Sequence, residues 1–272
     1  MDQFSLTRPA PGYLRATFDH PPTNFLTPDT VGELRQVLDE MHDGSTRVVV
    51  FDSVNPDFFM ARYDLAGAAR TGSPFAGLNE FADVTAALAG SPTISIAAIR
   101  GRVRGGGNEF ALACDMRFAS RENALLGQPE VGSGLLPAGG GIERLATLVG
   151  PARAVEIVVS SDDYDADTAA HYGWINRAVP DRELDAFVDA LARRIASFDA
   201  AAVSTAKRLL NRHARPEAGD LAETIAAVPA VAAAAPQRRA QLRERAQAAG
   251  ADFELHLGRY LGPEATTGPR RP

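Results

Sequence analysis

The sequence predicts an α/β core followed by a helical tail. Two short apolar runs carry the first half of that reading, Val48-Val49-Val50-Phe51 and Ile94-Ser95-Ile96-Ala97-Ala98-Ile99. Continuous apolar runs of this length suit parallel strands covered on both faces. Phe81 to Leu88 reads as a helix between them, and strand–helix alternation implies an α/β core. The second half is the change beyond about residue 181, where 181–198 and 200–212 show helical apolar periodicity. A boundary near 200 separates an α/β core, 1–200, from a helical region, 201–272, expected to pack on the core or on a neighbouring subunit.

The elements follow in order. Residues 4–8 and 13–18 read as strands joined through Pro9, Pro11 and Gly12. Thr27 before Pro28 is a cap residue followed by proline at the first helical position. Val31, Leu34, Leu38 and Met41 recur at helical spacing until Gly44. Gly105-Gly106-Gly107 leads into a helix through Cys114. Met116 to Ala119 and Leu125-Leu126 read as strands. The glycine-rich stretch 132–141 precedes helices around 142–149 and 151–160, and Trp174 and His171 are expected to pack a strand near 174–179. Beyond 212, Pro216, Pro229 and Pro236 punctuate an alanine-rich tail whose segment 237–248 is charged and helix-prone.

At 272 residues the chain has room for one large domain with an appendage. With 45% hydrophobic and 23% charged residues, disorder and a fibrous fold are excluded. A net charge of −6 argues against a broad nucleic-acid face. The single cysteine, Cys114, allows no intrachain disulfide and reads as a buried helix residue, not a nucleophile. The N-terminal stretch has no basic segment followed by an apolar one, and no apolar run approaches the ~20 residues of a membrane span. A cytoplasmic protein with no membrane partner is expected.

Several familiar sites fail on spacing. Phe110 breaks the dinucleotide fingerprint that Gly105 and Gly107 begin, and no glycine is followed by Lys-Ser or Lys-Thr. Asp163, Asp165 and Asp167 imitate a calcium loop, but Thr168 and Trp174 stand where Gly and Glu are needed. The histidines at 20, 42, 171, 213 and 256 form no metal-ligand spacing. Ser133 lies between glycines without the Gly-x-Ser-x-Gly of a serine-hydrolase elbow.

Three segments remain. Phe58 to Leu65 follows the first buried strand, and Gly105-Gly106-Gly107-Asn108-Glu109 follows the second. Gly127-Gln128-Pro129-Glu130 leads into Gly132-Ser133-Gly134-Leu135-Leu136-Pro137 and three more glycines. A triple glycine at a helix start lets a ligand approach bare N–H groups, which favour developing negative charge. Two glutamates beside such a turn can divide the work, one activating water and the other donating a proton.

Residues 105–141 resemble the signature of the enoyl-CoA hydratase (crotonase) family. The likeness extends through Pro22-Thr23-Asn24, Val48–Phe51 and Phe59–Leu65, and downstream through Gly150, Ala154, Ala169, Gly173 and Val179-Pro180. It covers roughly 10–212. It implies a ClpP/crotonase-like spiral of ββα units, with C-terminal helices that trimerise the subunits, and trimers that pair into hexamers. It implies an acyl-CoA thioester substrate, coenzyme A being part of that substrate, and no metal or redox cofactor. Motif for motif, the backbone N–H groups of Tyr63 and Gly106 would form the oxyanion hole. Glu109 would activate the water that attacks C3, and Glu130 would exchange the proton at C2. Met60, Ala61, Arg62, Gly105, Gly107, Leu136 and Pro137 would line the substrate.

The family's hole segment commonly reads Ala-Gly-Ala-Asp, whereas here it is Ala61-Arg62-Tyr63-Asp64. The Tyr63 ring either reshapes the acyl pocket or packs away from it. The lysine often found after the aspartate is absent, and Arg62 is a candidate replacement toward the CoA phosphates. Arg100, Arg102 and Arg104 alternate, so they either attract phosphates from one face or form salt bridges. Hydration is the expected reaction. Isomerisation, thioester hydrolysis, decarboxylation and a catalytically weak acyl-CoA-binding role are the alternatives.

Overall fold

The computed structural model describes residues 1–70, 75, 77–212, 214 and 216–262. Strands β1 (Phe4–Ala10) and β2 (Tyr13–Phe18) form an antiparallel hairpin. Pro9, expected in the connection, lies inside β1. That strand is an edge, where a missing N–H breaks no inner ladder. Helix α1 (Pro28–Met41) starts as predicted: the Thr27 hydroxyl accepts from the Thr30 N–H at 3.2 Å, and the Thr30 hydroxyl accepts from the Thr27 N–H at 3.0 Å.

Then come β3 (Val48–Ser53), β4 (Phe58–Met60), α2 (Leu65–Arg70), α3 (Leu78–Gly90), β5 (Ile94–Ile99), β6 (Arg102–Arg104) and α4 (Gly106–Ala113). They are followed by β7 (Met116–Ser120), β8 (Leu125–Gly127), a 3-10 turn at Val131–Ser133, α5 (Gly141–Val149) and α6 (Pro151–Ser160). The core closes with β9 (Asp163–Asp165), α7 (Ala166–Tyr172), β10 (Arg177–Val179) and α8 (Asp181–Ala196). The remaining helices are α9 (Ala200–Asn211), α10 (Ala218–Ala234), α11 (Pro236–Ala249), α12 (Ala251–Leu255) and α13 (Leu257–Leu261).

Two mixed sheets result, ordered β1-β2-β3-β5-β7-β10 and β4-β6-β8-β9. The pairs β3/β4, β5/β6 and β7/β8 each give their first strand to the larger sheet and their second to the smaller, and helices follow. This is the expected spiral of ββα turns. The apolar runs are continuous because both faces of the larger sheet are covered. Val49, Phe51, Ala97 and Ile99 face the cluster that includes α1 and α4. Val48, Val50, Ile96 and Ala98 face Leu184, Val188 and Ala192 of α8. Each fully buried Val, Ile, Leu or Phe contributes roughly 1.5–3 kcal/mol.

The tail is attached differently. Arg104, 3% exposed, pairs with Asp163 and donates to the Glu254 carbonyl at 2.6 Å. Arg102 donates to the Leu255 carbonyl at 2.7 Å. Arg238 donates to the carbonyls of Gly132 and Leu261. Arg100 turns elsewhere, to Asp181 and Asp185 on α8. The alternating arginines therefore share no phosphate-facing surface: all three are held within the chain. Pro229, expected to break the tail, lies inside α10, where buried Val228 and Ala232 pin the turns on either side.

Trp174 is fully buried as expected, but His171 is exposed. Asp163 and Asp165 have structural partners, the first in Arg104 and the second in the Thr168 N–H that it caps at 2.7 Å. Among the described residues no group of acidic, histidine or cysteine side chains could hold a metal ion, and no helix is long and apolar enough to cross a membrane. His213 lies outside the described residues.

Candidate active site

The ends of β4, β6 and β8 bring the three sequence segments together. Asn24, in a left-handed backbone conformation, anchors the first one. Its side-chain amide donates to Ser53 Oγ and to the Phe58 and Phe59 carbonyls, and its own carbonyl accepts from the Ala61 N–H at 2.9 Å. The chain then bridges Leu26 to Tyr63 in parallel fashion and turns into α2.

Helix α4 meets this segment closely enough to demand glycine. A Cβ on Gly107 would stand 2.0 Å from the Met60 carbonyl oxygen, so no side chain fits. One residue earlier, a Cβ on Gly106 would stand 3.3 Å from the Tyr63 backbone nitrogen. The first turn of α4 and the Tyr63 amide thus lie side by side. Gly106 is the first residue of α4, and its N–H has no acceptor among the described residues.

Both glutamates face one cavity of about 740 Å³. Glu109, 4% exposed, stands in the first turn of α4. Its Oε1 accepts from the backbone N–H groups of Gly139 (2.7 Å) and Gly141 (2.9 Å), so the glycine-rich loop clamps it. Behind the loop, buried Arg144 donates to the Gly139 carbonyl at 2.6 Å. Burial pushes the Glu109 carboxyl above the ordinary carboxylate range, and the two backbone N–H groups oppose it. Glu130 is half-buried, and Gln128 donates to its Oε2 at 2.9 Å. Burial and then the neighbouring charge of Glu109 push Glu130 upward as well. Both carboxyls are thus shifted in the same direction, toward the protonated form, each chiefly by burial.

Tyr63, Gly106, Arg62 and Leu136 also line the cavity. Tyr63 is among the residues that line the cavity, and its ring lies 6.1 Å from that of Phe81 in the main core cluster. Burial, then Glu80 and Asp64, push its phenol up to about 12, so it is neutral. Met60, Ala61, Gly105, Gly107 and Pro137 are not among the residues that line this cavity. Met60 is fully buried in the core, and Gly105, with φ +51, shapes the turn into α4. Arg62 is engaged by Glu254 of α12 at 2.6 Å and lies over the Phe25 ring. Cys114 is buried with its thiol pushed up to about 12 by desolvation, as an inert residue should be.

Sequence reasoning missed the opposite wall. Phe75, Leu78 and Phe81 complete an apolar end with Leu135, Ala138 and Val228. Arg239, Leu242 and Arg243 of α11 roof the cavity. Neither arginine makes an ion pair among the described residues, and Arg239 Nε is buried without a partner. The spacing of Arg239 and Arg243, one helical turn apart in the charged stretch 237–248, was the available signal.

Known proteins share this architecture. A family model described as enoyl-CoA hydratase/isomerase matches residues 12–235. A short-chain-enoyl-CoA hydratase of Clostridium acetobutylicum is 34% identical over 194 residues, covering 70% of this chain and 73% of the relative. A crotonyl-CoA hydratase of Syntrophomonas wolfei is 33% identical over 193 residues, covering 69% and 73%. A crystal structure of a candidate enoyl-CoA hydratase from Streptomyces avermitilis superposes with a TM-score of 0.84 at 40% identity, covering 96% of each chain. The spiral fold, the cavity at its strand ends and these likenesses agree: the chain is an enzyme of the enoyl-CoA hydratase/isomerase (crotonase) family, which implies an acyl-CoA thioester as substrate.

Proposed function

We propose that the enzyme adds water across the 2,3 double bond of an enoyl-CoA thioester. The observation that carries this reading is the meeting of two raised carboxyls in one cavity with the unengaged Gly106 N–H. Ionised Glu109 takes a proton from water as the water oxygen bonds to C3. The π electrons move through C2 to the thioester oxygen, giving an enolate. The backbone N–H groups of Tyr63 and Gly106 hold that oxyanion. Protonated Glu130 delivers its proton to C2 as the enolate collapses. Proton transfer within the pair then restores the starting state.

The acyl chain runs toward Phe75, Leu78, Phe81 and Leu136, with Tyr63 in the wall. The CoA phosphates meet Arg239 and Arg243, since Glu254 already holds Arg62. On this reading residues 1–200 perform the chemistry, while 201–272 roof the cavity and join subunits. Exposed Leu148, Val155, Val159 and Leu210 supply apolar surface for a homotrimer or hexamer, to be checked by light scattering.

The test is a panel of short, long and aromatic enoyl-CoA esters, followed by loss of the conjugated thioester absorbance. Turnover by the wild type and its loss in the Glu109→Ala, Glu130→Ala double variant are expected. Binding of the esters without loss of absorbance would direct the assignment to another reaction of the family or to a binding role.

A further inference from the structure

Glu130 ends a directed chain of three hydrogen bonds. The Trp174 indole N–H donates to Asn108 Oδ1 at 3.0 Å. Asn108 Nδ2 donates to Gln128 Oε1 at 2.5 Å, and Gln128 Nε2 donates to Glu130 Oε2 at 2.9 Å. Trp174, Asn108 and Gln128 are each fully buried.

The direction of the chain is set by its far end. An indole nitrogen only donates. Asn108 must therefore turn its carbonyl to Trp174 and its amide nitrogen to Gln128. Gln128 must in turn offer its nitrogen to Glu130. A side-chain amide could otherwise flip, and a flipped Gln128 would face Glu130 with an oxygen and favour its protonated form.

The indole is itself clamped. Its backbone carbonyl accepts from buried Arg117 at 2.9 Å, and its ring packs edge-on against Tyr164 at 5.7 Å. Gly173, left-handed at φ +81, ends α7 one residue before it. Asn108 is the neighbour of Glu109 on α4, but successive helical side chains diverge by about 100°. Glu109 enters the cavity while Asn108 turns to the core.

We propose that Trp174 and Asn108 are positioning residues for the proton-donating carboxyl: through Gln128 they fix a donor on Glu130 Oε2 and leave Oε1 as the oxygen that carries the proton. Oε1 packs toward Gly105 at the α4 start, 2.6 Å from where a Cβ would stand. The charged groups facing Glu130 are Glu109 on α4 and Arg62 after β4, the latter paired with Glu254 of α12. The inference extends the hydratase reading, and its test separates the two.

The first measurement needs no turnover. The protein is labelled with carboxyl-13C glutamate, and the Glu130 resonance is assigned by its loss in Glu130→Gln. Trp174→Phe removes the N–H and keeps an aromatic ring. Its Glu130 titration should move up by about 0.5–1 pH, the size of one lost hydrogen bond. Asn108→Asp is nearly isosteric and, when ionised, cannot donate to Gln128. It should invert the chain and move the titration further in the same direction. In turnover, both variants should lose about tenfold or more in kcat, with KM within about twofold, and the corresponding limb of the pH profile should follow the titration. Unchanged titration and kcat in folded variants, with only a lowered melting temperature, would reduce the chain to packing and overturn the proposal. A shifted titration in a protein whose wild type hydrates no ester would uphold the chain and overturn the hydratase reading.

Discussion

The two walls of the cavity are built on different physical terms. The core wall holds Glu109, Glu130 and the α4 start, on strand ends whose neighbours are fully buried. The tail wall, from α10 to α13, has small apolar clusters and is tied to the core by arginine–carbonyl bonds that run both ways, from Arg102 and Arg104 to tail carbonyls and from Arg238 of α11 to the Gly132 carbonyl. The core wall is preorganised by packing, so it suits chemistry that needs fixed geometry. The tail wall is held by a few polar contacts, so it suits binding and release of a large ligand. Changes in the core should move kcat, and changes in the tail should move KM.

The largest expected effect is on the core side. Glu109→Gln or Glu130→Gln should lower kcat by about 10²–10⁴, the range of general acid–base catalysis, with substrate still bound. An equal rise in KM with kcat intact would break the contrast. Next comes the joint between the walls. Asp163→Ala leaves the guanidinium of buried Arg104 without its carboxylate, so stability should fall by about 3 kcal/mol in denaturant titration. On the tail side, the Arg239→Ala, Arg243→Ala double variant should raise KM about tenfold or more while kcat changes little, measured on one ester at fixed ionic strength. An unchanged KM would remove the tail from the phosphate role.

The smallest effect is on stability against pH. Glu109 is raised in the folded protein above its ordinary value of 4.5, so the native state holds its proton more tightly than the unfolded chain does. Stability from this group is complete below about pH 4.5 and declines as pH rises toward the folded value. Glu109→Gln removes that decline. Its melting temperature relative to wild type should therefore be higher at pH 8 than at pH 5, by a few degrees at about 2–4 °C per kcal/mol. No difference between the two pH values would mean that the clamp of Gly139 and Gly141 fully offsets burial.

The core wall was legible in the sequence because its constraints are local. The triple glycine before Glu109 reports the close approach of Met60 to Gly107, and continuous apolar runs report a sheet covered on both faces. Thr27 and Pro28 place the α1 start to the residue. The short strands β4, β6 and β9 were not separately legible, since β4 falls in the segment 58–65 read for its chemistry and β6 and β9 are marked by arginines and aspartates, whereas the equally short β8 shows as Leu125-Leu126. The tail wall was hidden for another reason. Its contacts pair residues far apart in the chain, such as Arg62 with Glu254, and nothing local marks them. Arg62 therefore read as a phosphate ligand, and Arg239 and Arg243 read as part of a charged helix. The Trp174–Asn108–Gln128 chain escaped for the same reason: Trp174 read as a packing residue, and Asn108 and Gln128 only as members of the segments that carry Glu109 and Glu130.

The most direct test of the central claim is hydration in D2O of a short-chain enoyl-CoA, with the product analysed by mass spectrometry and NMR. The account predicts a 3-hydroxyacyl-CoA carrying one deuterium at C2 from wild type, and a loss of both events in Glu130→Gln. A product with its double bond moved, free CoA, or deuterium exchange without a hydroxyl at C3 would contradict it.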